Sequence, residues 1–405
     1  MQGNSPFRAG VSLSDLAQFN ERAVIHTLRV LGPTSQAELA HNTGLAPQTV
    51  SPIVRGLLQR GLLQEARTES VGRGRPRVIL ELVASAREAI GIHVDPGCLN
   101  VTTIDLCGSV VHSLTSDTVY PDDPERTLDE VVRLVKAVQG SGEVLGAAIA
   151  VPGPIDVSRA AVSESLWLPG WTGYPLGSRL EERLGMRVPV MKDTVAAAIG
   201  ENWVRAGKSH DAVLIYVYLG TGTGIGVSLF GDPFSGYSGN AGEIGQVLST
   251  IGAAEHRGAS AVANDPVLLV RAAHEQGVLT GEAPGIGALG LVESDLAALC
   301  AAGMHGDAVA REILEGAAQR IARMVLVAVE LFDASLVVMG GPYWPLLEPF
   351  YGAAVRTALA APSARGAHDV EVLPTALGTA VGAVGAAAAV LDELFVPRAP
   401  RRWDR

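Results

Sequence analysis

The sequence predicts an α/β protein in two parts, a small helical unit closed by a hairpin over residues 1–84 and a longer body of strands and helices over 85–395, with 396–405 a disordered tail. Three observations support this. The chain is long enough, at 405 residues, for two or three domains of about 100–200 residues each. Its net charge of −11 is uneven: residues 1–85 carry nine arginines and no lysine against six carboxylates, a net of +3, which leaves −14 for the rest. The hydrophobic spacing is helical up to about residue 60. Past residue 85 it becomes strand, strand, helix, with turns at Gly97 and Gly108 and apolar strands at 144–151 and 212–218.

In the first part, a helix over 12–31 starts at Ser12 or Ser14 and places Leu13, Leu16, Phe19, Ala23, Ile25, Leu28 and Leu31 at helical spacing until Gly32-Pro33 stops it. Ser35 with Glu38 three residues on forms a capping box for a second helix, with Leu39 and Ala40 inward, that ends at Gly44. A third helix starts at Leu45-Ala46-Pro47 and ends at Gly61. It turns Val50, Ile53, Val54, Leu57 and Leu58 inward and leaves Gln48, Thr49, Ser51 and Arg55 outside. Pro52 lies within it, where a missing N–H predicts a late start or a bend. Leu62–Glu65 and Val78–Leu82 can pair around the loop Arg67–Arg77, whose tip carries Arg73, Arg75 and Arg77 among glycine and proline. This is a winged helix-turn-helix, with helix side chains for base edges and phosphates and a basic wing for a narrow minor groove. Double-stranded DNA is the expected partner.

The body is acidic, so it repels phosphate backbones. Cys98, Cys107 and Cys300 have no paired spacing, which argues against a disulfide framework or a zinc cluster. No signal-peptide pattern precedes the first helix, and the Ala- and Gly-rich run 377–391 reads as a buried helix and not a membrane span, so a soluble cytoplasmic chain is expected. Four segments stand out: Val151-Pro-Gly-Pro-Ile-Asp156, the stretch from Val190 to Glu201 containing Lys192 and Asp193, Leu219-Gly-Thr-Gly-Thr-Gly-Ile-Gly226, and the stretch from Gly236 to Gln246 containing Glu243. Singly they read as turns, a buried helix and a glycine hairpin.

In this order, and with Gly340-Gly341 near the C-terminus, these segments resemble the ROK family of sugar kinases and transcriptional repressors. The resemblance covers nearly the whole chain. It implies an N-terminal winged helix-turn-helix followed by a two-lobed actin-like, sugar-kinase ATPase fold, and a homodimer or homotetramer. It also makes Asp193 the match of the family's catalytic aspartate, and Gly153, Asp193 and Glu243 retained members of a sugar site. Three positions depart from the pattern: Lys192 and Trp167 stand where the family has asparagines, and Gln246 stands for its zinc-linked histidine. No cysteine lies between Cys107 and Cys300, so no metal is expected and the loop 247–262 must be held by other contacts. The family's Asp-x-Gly-Gly-Thr phosphate loop corresponds to Gly91–Leu99, where His93 and Gly97 replace the aspartate and threonine in one register and Leu99 replaces the threonine in the other.

The expectation is a DNA-binding regulator, a repressor of carbohydrate-linked genes whose former kinase body senses a sugar or sugar phosphate and uses no cofactor. Asp193 would then be a vestigial catalytic residue, Trp167 a stacking platform and Lys192 a partner for an anionic group. A sugar kinase carrying a DNA reader and a ligand-independent DNA-binding regulator stay open as alternatives.

Overall fold

The computed structural model describes residues 12–69, 76–165, 167–205, 212–244, 264–285, 290–360 and 368–398. They fall into two compact units, one holding the residues up to Arg87 with those from Leu391 on, the other Glu88–Val390. The division thus lies slightly beyond the expected boundary at residue 84.

In the first unit α1 (Leu13–Leu31) starts with a reciprocal cap: the Ser12 hydroxyl accepts from the Asp15 amide and the Asp15 carboxylate from the Ser12 amide. β1 (Thr34–Ser35) leads into α2 (Gln36–Thr43), where the Glu38 carboxylate accepts from the Ser35 amide, the Ser35 hydroxyl and the Thr34 hydroxyl at 2.8–2.9 Å. Such boxes satisfy amide donors that a helix start leaves unpaired. α3 (Pro47–Gln59) follows, with Pro47 in its first turn, where a missing N–H is harmless. The helix is continuous through Pro52, so the late start expected there does not occur. Pro52 is exposed, and the carbonyl it leaves without a helical donor belongs to Gln48, also exposed.

β2 (Leu63–Glu69) and β3 (Arg77–Leu82) pair antiparallel, and β1 adds to β3 through Thr34–Leu80 and Ser35–Ile79. That third strand is too short for its alternation to show in sequence. The core is Val24, Ile25, Leu28, Leu39, Val50, Val54, Leu57, Ile79 and Leu80. Leu13, Leu16, Phe19 and Leu31 are exposed, contrary to the reading of α1 as inward along its length; only its middle meets the core. Of the expected tail, 396–398 are described: the Val396 amide donates to the Asp392 carbonyl and Arg398 pairs with the Asp392 carboxylate. Residues 399–405 lie outside the described part.

The second unit repeats one sheet topology. β4 (Arg87–Asp95), β5 (Cys98–Asp105), β6 (Val110–Ser116), β7 (Glu143–Val151) and, beyond the short β8 (Ile155–Asp156) and β9 (Ala161–Val162), β10 (Val190–Lys192) form a sheet in the order β10-β7-β4-β5-β6. β11 (Val213–Leu219), β12 (Thr223–Leu229), β13 (Asp232–Pro233), β14 (Leu336–Gly340) and β15 (Glu371–Pro374) form the other, in the order β13-β12-β11-β14-β15. In each, two successive hairpins occupy one side and the later strands the other. The 3-2-1-4-5 order therefore occurs twice, which gives two lobes.

Each sheet buries one face under its own helices. Ile90, Ile92 and Val94 of β4 pack with Leu128, Val131 and Val135 of α4 (Pro124–Ala137) and Leu176 and Leu180 of α5 (Leu176–Leu184). Ile215, Val217 and Leu219 of β11 join a core with residues of α7 (Pro266–Glu275), α8 (Val292–Met304), α9 (Ala308–Phe332) and α10 (Trp344–Ala360). The opposite faces share α6 (Asp193–Val204) and α11 (Val381–Phe395). Ala196 and Ala386 cluster with Ala148 and Ala150 of the first sheet, whereas Ala197, Ala198 and Val381 cluster with Leu214, Tyr216 and Tyr218 of the second.

Backbone-to-backbone approach makes this possible. A Cβ on Gly385 of α11 would lie 1.9 Å from the Ala196 carbonyl oxygen, one on Gly91 1.8 Å from that of Ala383, and one on Gly226 2.0 Å from that of Thr194. Gly378–Phe395 is long and apolar enough to cross a membrane, yet Val381, Ala383, Val384 and Ala386–Ala388 are buried inside the protein. Its composition serves close packing.

Gly385→Ala should cost about 3 kcal/mol or more, the upper end for overpacking, because the obstacle is a main-chain carbonyl that no rotamer change relieves. Gly316→Ala in α9, where a Cβ meets only the end of the Arg320 side chain at 3.4 Å, should instead stabilise by up to about 1 kcal/mol. Urea unfolding of the two variants checks both signs; equal effects would discount the close packing.

Candidate functional site

On the first unit, the outer side of α3 carries exposed Gln48 and Arg55 with half-buried Thr49 and Ser51, opposite the buried Val50, Val54 and Leu57. Arg77 is exposed at the base of the wing, paired across the hairpin with Glu69. Arg73 and Arg75 lie outside the described residues. The described part thus offers amide, hydroxyl and guanidinium groups from one helix face and a guanidinium from a hairpin, the donor types that meet base edges and phosphates.

In the body, residues from separate segments converge between the two sheets. β10 ends at Lys192 and α6 begins at Asp193, which places a cation and a carboxylate at a strand-to-helix junction. Lys192 is 2% exposed, and its Nζ lies 2.8 Å from Glu243 Oε1 and 3.5 Å from the Ala241 carbonyl. Glu243 is half-exposed and follows Gly242, whose φ of 84° and close approach to the Ile225 carbonyl exclude any side chain. Gly153 completes the group, since a Cβ there would stand 2.4 Å from Glu243 Oε1 and 3.2 Å from Lys192 Cε. The structure therefore brings Gly153, Lys192, Asp193 and Glu243 together.

Asp193 accepts from the Thr194 amide at 2.7 Å, and burial pushes its carboxyl up to about 7, with Asp95 and Glu243 adding to the rise and Lys192 opposing it. A carboxyl of this kind accepts a hydroxyl hydrogen bond or takes a proton near neutral pH. Lys192 is already matched by Glu243, so the expected role of pairing an anionic ligand group is met inside the protein. Trp167 is 8% exposed and belongs to the core of the second lobe, its Nε1 3.8 Å from where a Gly222 Cβ would be. It packs as a core residue, and the stacking platform expected of it is not presented. Gln246 lies outside the described residues.

Several polar residues here have partners that the sequence gives no means of assigning. Asn240 clamps the Glu243 segment to β8: its side-chain oxygen accepts from the Ile155 amide and its amide donates to the Ile155 carbonyl, each at 2.7 Å. Asp265 accepts from the Thr223 amide at 2.9 Å, and burial raises its carboxyl to about 7. His93 is buried against the Tyr218 hydroxyl at 3.2 Å, and burial lowers its pKa against the pull of Asp95. Asn240 stands within the glycine-bearing stretch from Gly236 to Gln246 and His93 within the stretch matched to the phosphate loop, but all three have partners more than 40 residues away. Among the described residues no group of three or more His, Cys, Asp or Glu is arranged to hold a metal ion.

Comparison with known proteins agrees with this architecture. A profile of the ROK family matches residues 90–266. The DNA-binding transcriptional dual regulator NagC of Escherichia coli (strain K12) is 27% identical over 338 residues, 80% of either chain. A crystal structure of a ROK family transcriptional regulator, a homolog of the E. coli MLC protein, superposes with a TM-score of 0.72 at 20% identity, covering 95% of this chain and 98% of that one. A ROK family glucokinase from Streptomyces griseus, solved with glucose and AMPPNP, gives 0.60 at 24% identity, covering 75% and 98%. These likenesses show a two-lobed actin-like α/β fold.

Asp193 carries a pH prediction. Its pKa rises from 3.8 in the unfolded chain to about 7 in the fold, so between those values the folded protein holds a proton that the unfolded chain has released. The associated stability is complete below about pH 4 and is lost as pH rises through about 7. Asp193→Asn, neutral at every pH, should show a smaller fall in Tm from about pH 5 to 8 than the wild type, with Asp265 supplying the remainder. Equal falls in the two proteins would rule out a raised Asp193.

Proposed function

We propose that the chain is a ROK family protein and a cytoplasmic DNA-binding transcriptional regulator, a repressor of carbohydrate-linked genes, whose body senses a sugar and has no kinase activity. The observation that carries this reading is a polar recognition face on α3 in the same chain as a carboxylate site, Asp193 and Glu243, built between two lobes. Relatives named as regulators and as an N-acetylglucosamine repressor support the pairing of DNA with a sugar.

The charge arrangement bears on the ligand. With Lys192 matched by Glu243 and a further carboxyl at Asp193, the site offers acceptors to hydroxyl donors and repels phosphate. A neutral sugar ring fits better than a sugar phosphate. A homodimer or homotetramer would present paired reader units to half-sites about 34–36 Å apart or a multiple of that. Ligand binding would act by changing the separation of the readers, and so operator affinity. One observation favours the kinase as a second reading: a buried aspartate raised to about 7 suits a general base. ATP turnover with a hexose panel, abolished by Asp193→Ala, would establish it.

Selection of DNA from a random library by the full chain tests the first reading, and failure to enrich any sequence would overturn it. On the selected operator, replacing Arg73, Arg75 and Arg77 together should lower the salt slope of binding by about 0.9 for each DNA phosphate that the wing neutralises; an unchanged slope would take the wing out of the interface. Neutral sugars should shift operator affinity where sugar phosphates do not. Glu243→Gln should keep operator binding and lose the response, and a response preserved in that variant would place the sensor elsewhere.

A further inference from the structure

Asp95 closes β4 just before the tight turn into β5 and is 2% exposed. A carboxylate this deeply buried requires hydrogen-bond donors. Its Oδ1 accepts from the Gly97 amide at 3.0 Å, within its own turn, and from the Thr221 hydroxyl. Its Oδ2 accepts from the Thr221 amide at 3.1 Å. Thr221 belongs to the glycine turn between β11 and β12, in the other sheet, so two of the three donors come from the opposite lobe.

The glycine turn is shaped around this carboxylate. A Cβ on Gly220 would lie 2.6 Å from Asp95 Oδ2 and 2.5 Å from Tyr218 Cε1, although Gly220 has no left-handed backbone that would by itself require glycine. At Gly222, one residue past Thr221, the nearest atom is 3.8 Å away. The tight position is thus the one facing Asp95. Two main-chain amides and a hydroxyl converging on one pair of oxygens form the donor set that binds carboxylate and phosphate oxyanions generally.

We propose that the glycine turn is an oxyanion seat already filled by the chain's own Asp95, a built-in ligand that ties the two lobes together and keeps free phosphate off these donors. The tie is intramolecular, so its effective concentration is far above that of a solute anion. An external phosphoryl group would have to displace it. The glycine at position 220 is then explained by this internal contact and requires no nucleotide.

Chemical rescue tests the proposal without DNA or sugar, so its outcome is separate from that of the regulator reading. Asp95→Gly should lower the Tm of the full chain. Inorganic phosphate, with sodium chloride at matched ionic strength as control, should then raise the Tm of this variant by about 2–4 °C or more in a saturating manner, with no comparable rise in the wild type. Thr221→Val, which keeps the carboxylate and removes the hydroxyl donor, should lose stability with no phosphate rescue. A phosphate response no larger in Asp95→Gly than in the wild type would overturn the proposal. If Asp95→Gly does not fold, the double variant Asp95→Asn with Thr221→Val supplies the test: its Tm loss should be smaller than the sum of the single losses, and simple addition would overturn the tie.

Discussion

The body depends on one steric constraint, the main-chain contact of α6 and α11 with each other and with both sheets. Gly385 against Ala196, Gly91 against Ala383 and Gly226 against Thr194 leave no room for a single carbon. Two sheets can share the same pair of helices only if those helices are thin. Alanine and glycine supply that thinness, and dense packing over short distances leaves little freedom to shift. The helix with the highest apolar content therefore acts as a spacer of minimal width.

The site inherits its geometry from that arrangement. Asp193 is the first residue of α6, so the packing that fixes the helix also fixes the carboxylate and removes it from water. Burial then raises its pKa to about 7 even with Lys192 adjacent. Glu243 reaches the same place from a segment pinned by Asn240 and by the close approach of Gly242 to Ile225. Asp95 crosses from one sheet to the glycine turn of the other. Carboxylates from distant segments thus meet in a small volume, with Lys192 paired to Glu243 and opposing the rise at Asp193.

Legibility in the sequence varies from residue to residue. The caps at Ser12 and Ser35 are readable because the hydrogen bonds span three residues. The burial of Val50, Val54 and Leu57 follows from helical spacing. The exposure of Leu13, Leu16 and Phe19 does not, because periodicity reports a face and not what covers it. Pro52 threatens its helix in sequence, yet the helix persists because the missing hydrogen bond falls on the exposed side. Position along the motifs points Trp167 and Lys192 at a ligand. Their tertiary neighbours, the core of the second lobe and Glu243, give both of them internal partners.

Sequence alone determined the local elements, the basic head on an acidic body and the order of the glycine-bearing segments, since these depend on neighbours in the chain and on composition. It also brought Gly153, Asp193 and Glu243 forward, through a resemblance carried by motifs. Tertiary structure alone decided which charges neutralise one another, why particular glycines are obligatory and that Asp95 faces Thr221. Those outcomes depend on atoms brought together from positions 126 residues apart in that last case. Spacing along a chain does not encode the distance across a fold that only close packing establishes.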